Sequence, residues 1–221
     1  MTRIARVVVP GIPHHVTQRG NRRQTTFFAP ADYRTYLSLL AVACRQSGTR
    51  VWGYCLMPNH VHLVMVPSSD DGLRGPLSGT HRRYAEGINR RFGWRGHLWQ
   101  ERFHSFPMDE RYLLATVRYV ERNPVAAGLT RTAAQWPWSS ARAHLAGRDN
   151  VLVEVGPMLE RISDWAAYLA QEPGSETVEA ITRHTRTGRP LGQEDFVARL
   201  ERRLQRPLAP QRRGRKPIER D

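Results

Sequence analysis

Cysteine is scarce in this 221-residue chain: only Cys44 and Cys55 occur, in neither a CxxC nor a zinc-ligand spacing. That argues against a zinc-finger route to a polyanion, fits a reducing compartment, and leaves both residues as expected core thiols. Long apolar runs are absent as well. The only run near the start, Val7-Val8-Val9 before Pro10, is too short for a signal-peptide core or a membrane span. A cytoplasmic protein with no membrane partner is therefore expected. No GxxxxGK[ST] phosphate loop and no helicase segment accompany these features. Acidic residues are few, 20 against 34 basic ones, and all but one of the basic residues are arginine.

Positive charge is what the chain has in abundance, with a formal net charge of +14 and a pI near 11.1. Such an excess favours a polyanionic partner, and the rigid donor fork of arginine suits phosphate in particular. Charge alone separates neither DNA from RNA nor a binding surface from a solvated one. The length allows one well-buried domain of ordinary size plus an appendage.

Residues 14–19 read as a strand ended by the turn signal Gly20-Asn21. Pro30 opens a helix in which Tyr33, Tyr36, Leu37, Leu40 and Cys44 recur at helical spacing until Gly48. Residues 50–56 and 61–66 form an antiparallel hairpin about Met57-Pro58-Asn59. A looser segment through Gly72, Gly75, Pro76 and Gly79 leads to a basic helix at 80–92. Tyr84, Ile88 and Phe92 mark one face of it, and Arg82, Arg83, Arg90 and Arg91 the other. Residues 98–108 read as a fourth strand, and Asp109 caps a helix that reaches Arg122 and ends at Asn123-Pro124.

The order strand, helix, strand, strand, helix, strand predicts an α+β fold with a ferredoxin-like antiparallel sheet, helices on one face and one further helix added. Beyond residue 130 the signals change. Trp136-Pro137-Trp138-Ser139-Ser140 reads as a packed turn entering a short helix, residues 157–169 and 193–204 as helices, and 211–217, QRRGRKP, as a basic arm. The expected division is a main domain at 1–130 and a helical, basic extension at 131–221 that binds DNA.

His60-Val61-His62 is the most informative tripeptide. On a strand, residues i and i+2 share a face with Cα atoms roughly 6 to 7 Å apart, so two imidazoles can converge on one cation. For an isolated pair, histidines satisfied by hydrogen bonds are the usual explanation. Here the pair follows a turn and sits among Val61, Leu63 and Val64, in what should be the core sheet. Tyr119 and Asn123, four residues apart, share one side of their helix. A phenol with a pKa of about 10 attacks well only beside a base, a metal or strong positive charge. Taken alone, Tyr119 reads as a core aromatic with its hydroxyl at the surface.

The runs Met57-Pro58-Asn59-His60-Val61-His62-Leu63-Val64, Leu98-Trp99-Gln100-Glu101-Arg102-Phe103, Arg118-Tyr119-Val120-Glu121-Arg122-Asn123-Pro124-Val125 and Trp136-Pro137-Trp138-Ser139-Ser140 resemble, in order, the REP-associated tyrosine transposases of the HUH single-strand nuclease superfamily. The resemblance covers roughly the first 145 residues and includes the N-terminal HHVTQRGNRRQ, with the later TRTGRPLG matching a bacterial branch. It implies a ferredoxin-like catalytic domain at 1–130 that cuts and rejoins single-stranded DNA at palindromic, hairpin-forming repeats. It further implies that His60 and His62 bind a divalent metal, Mg²⁺ or Mn²⁺, and that Tyr119 takes a covalent 5′-phosphate. Asn123 stands where the third ligand is expected, although related insertion-sequence enzymes usually carry glutamine there.

Arg19, Asn21, Arg22 and Arg23 at the first turn, Arg82, Arg83, Arg90 and Arg91 on the basic helix, and Arg102 are candidates for holding DNA. Trp94 and Trp99 read as core aromatics, with base stacking as the alternative. The protein is expected to act as a monomer or homodimer. The competing class is a DNA- or RNA-binding regulator that keeps the fold and no longer cuts.

Overall fold

Strands β1 (His14–Arg19), β2 (Arg50–Met57) and β3 (His60–Val66) carry almost no fully exposed residue. A sheet with apolar side chains on both faces must be covered on both. The computed structural model, which describes residues 4–210, shows how. With β4 (His104–Pro107) these strands form one sheet in the order β2-β3-β1-β4, every neighbouring pair antiparallel. That is the strand order of the ferredoxin-like fold expected from the element sequence.

Helices α1 (Pro30–Ser47) and α2 (Arg74–Phe92) pack over Val16, Tyr54, Leu56, Val61, Leu63 and Met65 on one face. Helix α3 (Glu110–Ala126) lays Leu113, Val117 and Val120 over Cys55, Val64 and Phe106 on the other. The expectation of helices on one face is thus corrected. The added helix seals the second face because its apolar stripe has nowhere else to go.

Several boundaries move. Helix α2 starts at Arg74, so Gly75, Pro76 and Gly79 lie within it. Pro76 is tolerated because first-turn amides lack intrahelical acceptors in any case. Helix α3 runs through Pro124 to Ala126, and the proline gives up one donor only near the end. Strand β4 is four residues long rather than eleven. The segment before it is loop, touching the sheet through a bridge between Gly20 and Trp99. Trp99 is core and donates its indole N–H to His81 O at 3.1 Å. Trp94, by contrast, is 43% exposed and stacks on Phe92 at the surface.

After α3 the chain returns to the sheet edge. Leu56 N–H donates to Trp138 O at 2.8 Å and Ser140 N–H to Tyr54 O at 3.0 Å. The short helix α4 (Ala141–Leu145) follows. Residues 157–169 are two short helices, α5 (Gly156–Leu159) and α6 (Trp165–Ala170), because Asp164 caps the second by accepting from Ala167 N–H. Helix α7 (Ser175–Thr187) has no counterpart in the sequence reading, whereas α8 (Glu194–Leu204) falls where a helix was expected. Phe196, Leu200 and Leu208 bury Val7 and Val9. The expected basic arm at 211–217 lies outside the described residues. Both cysteines are free and buried. Among the described residues no helix is long and apolar enough to cross a membrane.

Candidate active site

The face of the sheet beneath α3 carries a polar island. The register sets Thr17 opposite His62 and Arg19 opposite His60 on one side of β1, with Thr17 opposite His104 on the other. Period-two alternation turns these side chains to the α3 face while Val16, Val61 and Leu63 turn away. Tyr119 and Asn123 descend from α3, and Thr182, Thr185 and Arg186 from α7, to enclose a cleft of about 630 Å³.

The rings of His60 and His62 stand 4.9 Å apart at 77° to one another, and the His62 and Tyr119 rings 5.6 Å apart at 88°. His60 Nδ1 donates to Asn59 Oδ1 at 2.6 Å, and His62 Nδ1 is bonded to His15 Nε2 at 3.0 Å. The nitrogen of each ring not used in these bonds is Nε2. Burial, then the nearby Arg19 charge, pulls the His60 pKa from 6.5 to about 4. Burial, with His60, His15 and Arg19 adding to it, holds His62 well below its ordinary value. Neutral imidazoles are the metal-binding form.

Burial pushes the Tyr119 hydroxyl above its ordinary pKa, while a hydrogen bond from Asn123 and the charge of Arg19 work the other way. The Asn123 amide also donates from Nδ2 to the Tyr119 backbone carbonyl at 2.9 Å, and its Oδ1 is the lone-pair atom of the group. Two ring nitrogens and an amide oxygen suit a divalent ion completed by phosphate and water oxygens, and the one carboxylate among the described residues lining the cleft, Glu101, is bonded through Oε1 to His104 Nε2 at 3.2 Å. Among the described residues no group of three or more His, Cys, Asp or Glu could hold a metal.

Helix α3 is held in place by a buried network that the sequence reading did not find. Glu121, fully buried, accepts from Ser140 Oγ, from His144 Nδ1 at 2.6 Å and from Trp165 Nε1 at 2.9 Å. Ser140 Oγ in turn accepts the Tyr54 N–H at 2.9 Å, tying α3 to β2. The available signal was a carboxylate four residues after Val117, on the apolar stripe of an amphipathic helix.

The candidate DNA contacts distribute unevenly. Arg19 and Arg23 line the cleft. Asn21 N–H is bonded to Leu98 O at 2.8 Å, and Arg22 sits exposed at φ 51°. Arg82 and Arg102 line a second cleft of about 570 Å³ between α2 and the 96–103 loop, which shares Gln18 and Glu101 with the first. Arg83 and Arg90 are exposed on α2. The guanidinium of Arg91 grips Asp32 with two bonds of 2.6 and 2.9 Å.

A comparison with curated proteins finds no match. Among solved structures, a REP-associated tyrosine transposase bound to a REP hairpin is 19% identical, aligned over 70% of this chain and 93% of its own, with a TM-score of 0.57. The two share a fold. A putative transposase from Deinococcus radiodurans R1 is 18% identical over 55% of this chain and 97% of its own, with a TM-score of 0.39. The family model of IS200-like transposases matches residues 8–123, over half the chain, and that span contains His60, His62, Tyr119 and Asn123. The chain belongs to the IS200-like transposase family.

Proposed function

We propose that this transposase cuts and rejoins single-stranded DNA at palindromic, hairpin-forming repeats, with Tyr119 as nucleophile. The observation that carries the reading is the meeting of a neutral histidine pair, Tyr119 and Asn123 in one cleft rimmed by Arg19 and Arg23. The Tyr119 oxygen attacks a backbone phosphorus, forming a phosphotyrosine bond as the P–O3′ bond breaks. The phenol gives up its proton and the departing 3′ oxygen takes one up. The energy of the phosphodiester is kept in the new bond, so rejoining needs no nucleotide.

His60, His62 and Asn123 are the residues that would hold Mg²⁺ or Mn²⁺, and the ion's contribution is to polarise a phosphate oxygen. Helix α3 carries Tyr119 beside the His62 ring, and the Glu121 network ties that helix to the strand pair behind it, which limits how far the phenol can wander. Arg19 and Arg23 hold flanking phosphates, and the charge of Arg19 favours the phenolate. The helical extension beyond residue 130 adds Arg186 to this surface. The hairpin ligand of the structural relative supports a folded single-stranded DNA substrate for this chain.

The test incubates the protein with labelled single-stranded palindromic repeats and Mn²⁺ or Mg²⁺, beside Tyr119→Phe, on a denaturing gel. A metal-dependent covalent adduct that vanishes in the variant is expected. Tight hairpin binding with no adduct under either ion would favour the non-cutting regulator instead.

A further inference from the structure

His15 is a third imidazole at the site, only 1% exposed and turned toward His62 across the β1–β3 pair. The two rings lie within 6° of parallel with centroids 5.2 Å apart, and Nε2 of His15 is 3.0 Å from Nδ1 of His62. Phe106 and Tyr119 meet the His15 ring edge-on at 5.3 and 6.3 Å. Its Nδ1 is buried without a hydrogen-bond partner. Phenylalanine would pack alike among these aromatics, so what the imidazole adds, at the cost of a partnerless Nδ1, is its bond to the buried His62 Nδ1.

A bond between two ring nitrogens contains one proton, and its position decides what faces the cleft. If His62 Nδ1 donates, His62 Nε2 presents a lone pair. If His15 Nε2 donates, neutral His62 carries its proton on Nε2 and has no lone pair there. The His60 ring faces no such choice, since Asn59 Oδ1 can only accept. We propose that His15 is a positioning residue: it accepts from His62 Nδ1–H, fixes the His62 tautomer that ligates through Nε2, and thereby sets the divalent-cation affinity of the site. This rests on the reading of His60 and His62 as metal ligands. The usual orienting partner of a ligating histidine is a carboxylate, carbonyl or water. A neutral imidazole does the same without adding negative charge, so the ion's charge stays available to DNA phosphates.

The experiment measures Mn²⁺ binding by electron paramagnetic resonance, with and without a single-stranded oligonucleotide, for the full chain, His15→Phe and His15→Gln. The glutamine amide oxygen can accept from His62 Nδ1–H, whereas phenylalanine cannot. His15→Phe should bind Mn²⁺ about 10- to 100-fold more weakly, with a modestly lower melting temperature in the absence of metal because His62 Nδ1 loses its partner. His15→Gln should recover most of that loss. Equal Mn²⁺ affinity in the full chain and His15→Phe, or a folded His15→Gln as weak as His15→Phe, overturns the inference. Nitrogen-15 NMR of the unmutated protein with Mg²⁺ gives a check that needs no variant: His62 should carry its proton on Nδ1, and a proton on Nε2 overturns it. Absence of Mn²⁺ binding by the unmutated chain would instead remove the metal reading, and this inference with it.

Discussion

His60 illustrates how a single side chain is tuned for the role proposed for it. A histidine that ionises at 6.5 competes with its own metal below neutral pH, because the protonated ring has no lone pair at the ligating nitrogen. Burial and Arg19 move that competition down to about pH 4. The sign is therefore that acid weakens metal binding, but only well below the ordinary histidine range. Between pH 7.5 and 5.5, Mn²⁺ affinity should change by no more than about twofold, where an unshifted histidine would lose about tenfold. A tenfold fall in a Mn²⁺ titration over that interval would show that the ring titrates at its ordinary value. That His60 and His62 share one face, and Tyr119 and Asn123 one side of a helix, was legible from one local period each, two for a strand and about 3.6 for a helix, whereas their joint role as a site came only from the family resemblance. His15 was not legible. Its partner lies 47 residues away, and nothing in the dipeptide His14-His15 says which ring faces the site.

At the scale of the element, α3 carries both the proposed nucleophile and the residue that pins it. Replacing Glu121 with alanine would take the acceptor from the buried donors His144 Nδ1 and Trp165 Nε1, while Ser140 Oγ keeps only its longer bond to Tyr54 O at 3.2 Å. Buried unsatisfied polar groups cost about 1–3 kcal/mol each, so a loss of ~3 kcal/mol or more is expected. In a chain of this size that lowers the melting temperature by roughly 6–12 °C, as calorimetry would record. A drop under 2 °C would mean that the network does not hold the helix. Strand β1, helix α1 and the β2–β3 hairpin were readable almost to the residue because apolar periodicity and turn residues agree there. Helix α2 was read six residues short because glycine and proline punctuation was taken at face value, whereas burial of Leu77 and Thr80 overrides it. Helix α7 escaped because its polar sequence offers only Ala180 and Ile181 as a buried apolar stripe.

The molecule as a whole brings its last third back to the site that its first 123 residues build. Ile4 N–H donates to Thr187 O at 3.0 Å and His104 Nδ1 to Thr185 O at 3.1 Å, which seats the end of α7 against β4. This puts Arg186 in the same cleft as Arg19 and Arg23, although it lies 63 positions beyond the end of the family match at residue 123. A chain with a net charge of +14 will bind polyanions through many arginines at once, so affinity alone cannot tell a cleft contact from general attraction. Salt dependence can. Each phosphate neutralised on a single strand steepens the plot of log affinity against log salt by about 0.7. With turnover blocked by Tyr119→Phe, Arg186→Gln should make that plot shallower by about 0.7. Arg202→Gln, on the exposed side of α8 and outside the cleft, should leave its slope unchanged. Equal slopes for all three proteins would place α7 off the DNA path, and equal losses in both arginine variants would reduce Arg186 to one more charge in a diffuse field.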